Sequence, residues 1–299
     1  MSERQHRPTL GIFWMVVTGL CFVAVTALVK VMGPRIPAAE AAFLRYALGL
    51  VFLIPAAGAL RRYRFDSGTL KLFGIRSACH TLGVILWFYA MTQIPLSEVT
   101  AMNYLNPVYV TLAAALFLGE RLAMRRLLAV LAALIGALII LRPGFRELNS
   151  GHFAMLFTAA VFAGSYLSAK MLSERAPPSV VVGMLSITVT ICLAPFAYAV
   201  WITPTPLELA LLFGVACFAT AGHYTMTLAF SMAPLTVTQP VTFLQLVWAV
   251  SLGYFAFGEA VDIWVILGGA IILAAVSFIT WREAVLKRQV TPTTHQTKG

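Results

Sequence analysis

The sequence predicts an all-α polytopic membrane protein of ten transmembrane helices, built as two inverted five-helix repeats. Three observations predict it. Of 299 residues, 60% are hydrophobic and 11% charged, with a mean hydropathy of +0.88. A soluble domain is about half apolar and about one quarter charged, and so few charges would leave apolar surface in water. The apolar runs are helix-length, near the roughly 20 residues that span a bilayer, whereas a β-barrel shows short alternating strands. Finally, the second half of the chain repeats the first.

Taken in order, the expected spans are Leu10 to Met32, Ala38 to Leu60, Leu70 to Met91, Leu96 to Leu118 and Met124 to Leu141 in the first half. The second half gives Gly151 to Leu172, Ser179 to Trp201, Leu207 to Phe230, Thr236 to Phe257 and Ile263 to Trp281. Residues 1–149 and 150–286 are thus the two repeats of one membrane domain, and 287–299 read as a disordered polar tail. The first apolar run lacks a small-x-small cleavage site, so it reads as a retained span and not a signal peptide. Lysines and arginines set the orientation. With the N-terminus inside, fifteen of the 21 fall on inside segments and four on outside ones, while Arg45 and Arg76 lie within spans. Both termini are therefore expected in the cytoplasm, in a multi-pass inner-membrane protein.

The repeat is gap-free where it is clearest. Residues 90–122 align on 229–261 with seven identities, among them Pro95/Pro234 and Gly119-Glu120/Gly258-Glu259. The starts of the halves also correspond, from Gly11/Gly151 through Lys30/Lys170. Each half holds five spans, an odd number, so the second enters the membrane upside down. Secondary transporters use such halves to open a central site to each side in turn.

Other classes are excluded by what the chain lacks. The net charge of +10 sits in short links between spans, which leaves no basic face for nucleic acid. Cys21, Cys79, Cys192 and Cys217 lie singly inside apolar runs, without metal-ligand or disulfide spacing. No GxSxG, Walker A or Rossmann pattern is present. Transport would thus be secondary, with no cofactor, and the alternatives are an intramembrane enzyme acting on lipid or a channel-like or regulatory membrane protein.

These features together resemble the drug/metabolite transporter superfamily, in particular its EamA-type members. The resemblance rests on the five-plus-five layout, the Pro-led fourth and ninth spans closing in LGE at 118–120 and FGE at 257–259, and AAFLRYALGL at 41–50. It implies a carrier of small organic solutes, such as amino acids, vitamin-like compounds or drugs, with export as the direction. The second half departs from the pattern by lacking an arginine at the Arg45 equivalent, near Met184 and Leu185.

Candidate site residues follow from polar groups set in apolar spans, which are costly and face a partner or a wet cavity. Arg45 lies roughly 10 Å deep at 1.5 Å per residue. It reads either as a clamp for a substrate anion or as an ion pair with Glu98, with Glu40 a shallower alternative. His80, near midplane, suits recognition or proton coupling, or an interhelical hydrogen bond; His223 is a second candidate in the eighth span. Asn103 and Asn106 share a face, and their repeat equivalents are Thr242 and Gln245. Gln239, Tyr104 and Phe243 complete this stripe as substrate contacts or packing. Lys30 and Lys170, repeat equivalents at opposite mouths, read as gating residues or as snorkelling anchors; Glu98 and His223 join them as coupling candidates. Pro107, Pro195 and Pro240 are expected to kink spans, and Pro95 and Pro234 to lead helices in. Gly119 and Gly258 are expected to cap helices, with Glu120 and Glu259 paired to Arg121, Arg125 or Arg126 on the inner side. Small residues around Gly136 and Gly268 suit close packing or a dimer contact, in a monomer or homodimer whose partners are the bilayer and a small solute.

Overall fold

The computed structural model describes residues 8–110, 112, 124–145, 147–173, 175–233, 238 and 240–290. Helix α1 (Pro8–Met32) is apolar apart from three threonines and Lys30, and ends at Gly33, whose φ of +72° a side chain would oppose. The second expected span is broken. Helix α2 (Ala38–Gly49) tightens into a 3-10 segment over Leu50–Ala56 before α3 (Ala57–Arg62). Pro55 lies in that segment and has no N–H to give to a helix ladder. Helix α4 (Ser67–Gln93) starts on Asp66, whose carboxylate accepts from the Thr69 N–H at 2.6 Å and the Thr69 hydroxyl at 2.9 Å. Both hydrogen bonds hold the Asp66 carboxyl below its ordinary range, the backbone one foremost.

Helix α5 (Leu96–Asn103) stops at a turn, and residues 106–110 are helical again. Pro107 cannot donate to the Asn103 carbonyl, and the chain substitutes tighter bonds: Tyr104 N–H to Ala101 O and Leu105 N–H to Met102 O. Helix α6 (Met124–Leu141) has the bounds expected of the fifth span. Then follow α7 (Ser150–Ser173), α8 (Pro178–Ala199) and α9 (Pro206–Met232), the last opened by a capping box between Thr205 and Glu208. A 3-10 turn, Pro240–Thr242, leads into α10 (Phe243–Phe257), which Gly258 closes in the left-handed region. Helix α11 (Ile263–Val290) runs four residues into the stretch expected as tail.

Five of these helices are long and apolar enough to cross a membrane: 9–32, 67–93, 179–199, 206–226 and 263–282. Shorter apolar helices cover 127–141, 150–165 and 243–257. The fold is an all-α, multi-span membrane bundle. Its main packings join an early helix to a late one: α1 on α9, α2 on α8, α4 on α7, α5 on α10 and α6 on α11. One continuous core runs through them, with Phe88, Met91, Met102, Leu105, Ile140 and Met155 fully buried. The α6–α11 seam needs its glycines, because a Cβ on Gly268 would sit 2.5 Å from the Gly136 carbonyl oxygen.

Candidate functional site

Three polar constellations interrupt the apolar bundle. The first centres on α2. Arg45 and Tyr46 are both buried, and the Arg45 guanidinium carbon lies 4.1 Å from the centre of the Tyr46 ring. The Tyr46 hydroxyl shares a 2.6 Å hydrogen bond with Nε2 of His80 on α4, and Nδ1 of His80 shares one of 3.1 Å with the Ser165 hydroxyl on α7. The His80 ring also stacks on Phe162, with centroids 5.0 Å apart. Arg76 and His223 lie within electrostatic reach of His80. Arg76 donates to the Val181 carbonyl, and His223 meets Phe22 edge-on. No hydrogen bond or ion pair of Arg45 to a described residue is present, and its Nε is buried without a partner.

The expected ion pair between Arg45 and Glu98 does not form. Glu98 pairs instead with His152 Nε2 at 2.7 Å, both side chains 5% exposed. Glu40, the shallower alternative, accepts from the Ile202 N–H at 2.8 Å. The reason is rotational: Glu98 stands in the first turn of α5, and the packing of α5 on α7 turns it toward the start of α7.

The second constellation lies where α5 and α10 cross. Both chains break there, at 104–105 and 240–242, which are neighbouring positions in the repeat. Tyr104 donates its hydroxyl to the Thr242 carbonyl at 2.7 Å, and the Asn106 amide donates to Asn103 Oδ1 at 2.8 Å. Asn106 Oδ1 is buried without a partner, a free acceptor beside the break. Gln245 and Phe243 follow on α10, partly buried. Asn103 and Asn106 are thus neighbours, joined by one hydrogen bond that spends part of their hydrogen-bonding capacity internally. Gln239 lies outside the described residues.

The third constellation ties helix ends together. Glu259 was expected to pair with inner-side arginines; it pairs with Lys30 at the opposite end of the bundle. The same carboxylate accepts from the Leu96 N–H at 3.0 Å. That N–H is one of the orphan donors at the start of α5, where negative charge is favoured. At the same end Arg35 pairs with Glu208 and Arg142 with Asp262. Lys170 is on α7, with its side chain outside the described residues, as are Glu120 and Pro234.

Sequence reasoning missed Tyr46, Ser165 and His152. Tyr46 carried one signal, its place beside a buried arginine; the other two look like ordinary helix residues until the packing is known. Two apolar grooves, of about 280 and 120 Å³, lie between α6 and α11 and along α10, and neither is lined by Arg45 or His80. Among the described residues no three His, Cys, Asp or Glu groups are placed to hold a metal.

The long apolar helices make the chain a multi-span membrane protein. The comparisons agree. The EamA-like transporter family's model matches residues 9–142 and again 149–281, and the chain belongs to that family. It is therefore a secondary transporter embedded in the inner membrane, and not an enzyme. Similar proteins include the pseudopaline exporter of Pseudomonas aeruginosa strain UCBPP-PA14, 28% identical, which aligns over 89% of this chain and 94% of its own length. The riboflavin transporter of Vibrio cholerae is 27% identical over 95% and 97%. The S-adenosylmethionine uptake transporter of Rickettsia bellii is 25% identical over 95% and 97%. A solved crystal structure superposes with a TM-score of 0.62 at 17% identity, over 96% of this chain and 100% of that one, a likeness of fold.

Proposed function

We propose that this carrier binds a small organic solute through an anionic group, as in an amino-acid-like metabolite, and moves it by alternating access between two inverted halves, residues 1–149 and 150–286. Arg45 carries the reading. A buried guanidinium in a membrane bundle is expensive unless compensated; Glu98 is bonded to His152, and Glu40 bonds the Ile202 N–H, with neither paired to Arg45. A substrate carboxylate supplies what the protein withholds.

The ten-span inverted arrangement is supported by the tandem family match. It is supported too by the helix pairing, which is unchanged when the halves are exchanged. In that exchange α1 on α9 corresponds to α7 on α4, while α2/α8, α5/α10 and α6/α11 map onto themselves. The charge asymmetry orients both termini to the cytoplasm. Asn103, Asn106, Thr242 and Gln245 then supply polar contacts at the crossing of the broken helices, with Gln239 from the segment before them and Tyr104 and Phe243 as aromatic walls. Lys30, locked to Glu259, gates the outer mouth, and Lys170 is its repeat counterpart at the inner one. Glu98, held by His152, and His223 belong to the moving framework. The relatives named above include both an exporter and an uptake transporter, so the net direction follows the gradients the cell imposes.

The test is counterflow in proteoliposomes across amino acids, organic acids, nucleosides, vitamins and cationic drugs, with wild type, Arg45→Gln and Arg45→Lys. The expected hit bears a carboxylate, and its apparent affinity falls about tenfold or more in both variants, since lysine cannot reproduce a planar fork. A purely cationic hit, or equal affinity in all three proteins, overturns the assignment.

A further inference from the structure

We infer that Tyr46 is a positioning residue for the anion site. Its ring carries the Arg45 guanidinium, and its hydroxyl, fixed through His80 to Ser165, sets the ring, so that Arg45 presents an in-plane fork to a carboxylate. The inference rests on the reading of Arg45 given above.

The chemistry is directional. A guanidinium donates in its own plane, and two parallel N–H donors match the two oxygens of a carboxylate. The guanidinium carbon lies 4.1 Å from the centre of the Tyr46 ring, which closes that side of the group to ligands. A carboxylate that binds through both oxygens approaches at the in-plane N–H edge, away from the ring. Nε is buried without a partner, and the residue is 5% exposed.

A tyrosine ring free to swing would spoil this. The ring is held at its far end by the 2.6 Å bond from the hydroxyl to His80 Nε2. His80 is held in turn by the 3.1 Å bond between Nδ1 and Ser165, and by its stack on Phe162. A neutral imidazole donates from one nitrogen and accepts at the other, and each hydroxyl can take either part. Both ring nitrogens are thus satisfied without a charge. His80 is a strut in this arrangement: both of its polar atoms are occupied by protein hydroxyls, which leaves none for a solute.

The strut also crosses the chain's two halves. Tyr46 and His80 belong to residues 1–149 and Ser165 to residues 150–286. Motion of one half against the other acts on the Ser165 end, so the fork is held tightest in the conformation where that bond is made.

The test uses the full-length protein in proteoliposomes, phenylglyoxal as a reagent for arginine, and acetate as the carboxylate probe against chloride at equal ionic strength. Modification of Arg45 is read by mass spectrometry in wild type, Tyr46→Phe, Tyr46→Leu and Ser165→Ala, with thermal unfolding measured alongside. In wild type, acetate slows the modification and chloride does not. Tyr46→Leu raises the half-protecting acetate concentration about tenfold, and Tyr46→Phe, which keeps the ring, raises it only about two- to threefold. Ser165→Ala, remote from the guanidinium, shifts it in the same direction as Tyr46→Phe. A purely structural role would lower the unfolding temperature and leave the protection curve in place; that result overturns the inference. Equal protection in wild type and Tyr46→Leu does so as well. Absence of acetate protection in wild type overturns instead the anion reading of Arg45, a separate and recognisable failure.

Discussion

Replacing Glu259 by glutamine should open the Lys30 end of the bundle. The carboxylate there does two jobs, pairing with Lys30 from α1 and accepting the Leu96 N–H at the start of α5, while itself following the last turn of α10. Three helices meet at one side chain. A hydrogen bond to a charged group contributes about 1.5–3 kcal/mol, and a partly exposed ion pair about 0.2–1 kcal/mol; the side chains are 24% and 12% exposed. Glutamine keeps an oxygen for Leu96 but loses the charge, so the loss is about 1–2 kcal/mol. At 1.4 kcal/mol per factor of ten, the open population at this end rises about five- to thirtyfold. Lys30→Met should act similarly, and the double variant should add little, since both changes remove one contact. The charge-reversed pair Lys30→Glu with Glu259→Lys should not restore closure, because a lysine cannot accept the Leu96 N–H. The assay places a single cysteine at Thr100, buried one turn inside Leu96, in a protein without Cys21, Cys79, Cys192 and Cys217. Its reaction with an impermeant maleimide is followed in intact cells and in inverted vesicles. Unchanged rates in Glu259→Gln and Lys30→Met would refute the latch. Acceleration confined to inverted vesicles would refute the orientation and leave the latch standing.

Two further outcomes follow from local geometry. Gly268→Ala sets a methyl 2.5 Å from the Gly136 carbonyl, a backbone atom that cannot rotate away. The α6–α11 seam should loosen by about 1–3 kcal/mol, seen as a lower unfolding temperature in detergent; an unchanged one would mean that the helices slide apart freely. The Asp66 cap makes a pH prediction. Its folded carboxyl titrates below the unfolded one, so its stabilisation is complete above the ordinary carboxylate range and fades as pH falls through the lower folded value. The difference in unfolding temperature between wild type and Asp66→Ala should therefore be constant near neutrality and shrink at a pH below about 4; a gap that widens in acid would contradict this.

Much of the fold was legible because hydrocarbon solvation imposes a simple code. An apolar run of the right length is a helix, since no other backbone conformation within one segment satisfies its own polar groups. Pro107 and Gly258 announced a break and a cap for local reasons, and the structure has both. Pro55 shows the limit: it was hidden inside an apolar run, and the run reads as one span although the helix tightens there. Partner choice was illegible for a different reason. Glu98 has its functional neighbours decided by how α5 rotates against α7, and Glu259 meets Lys30 across 229 residues of chain. Nothing in the spacing of either residue encodes those rotations. The repeat did carry information across that distance, since Glu259 and Lys30 each recur in the other half, but the recurrence names residues without saying which ends they share.

What distinguishes Arg45 is visible only against the other polar side chains of the interior. Thr18 meets Thr225, Ser77 meets Thr188, His80 meets Tyr46 and Ser165, Glu98 meets His152, and Glu40 meets a backbone N–H. The first four of these polar groups meet a partner on another helix, which fixes the relative position of the two, while Glu40 meets the loop at Ile202 through one oxygen only. Arg45 receives only the face of its neighbour's ring. That contact orients a cation without discharging it. Among the described residues neither Glu98 nor Glu40 is paired with the guanidinium. On the reading proposed above, a negative group on the solute would come and go at this guanidinium. A carrier needs a binding energy strong enough to strip water from its cargo and weak enough to release it, and on that reading a cation held against tyrosine, with no described acid paired to it, would meet both conditions.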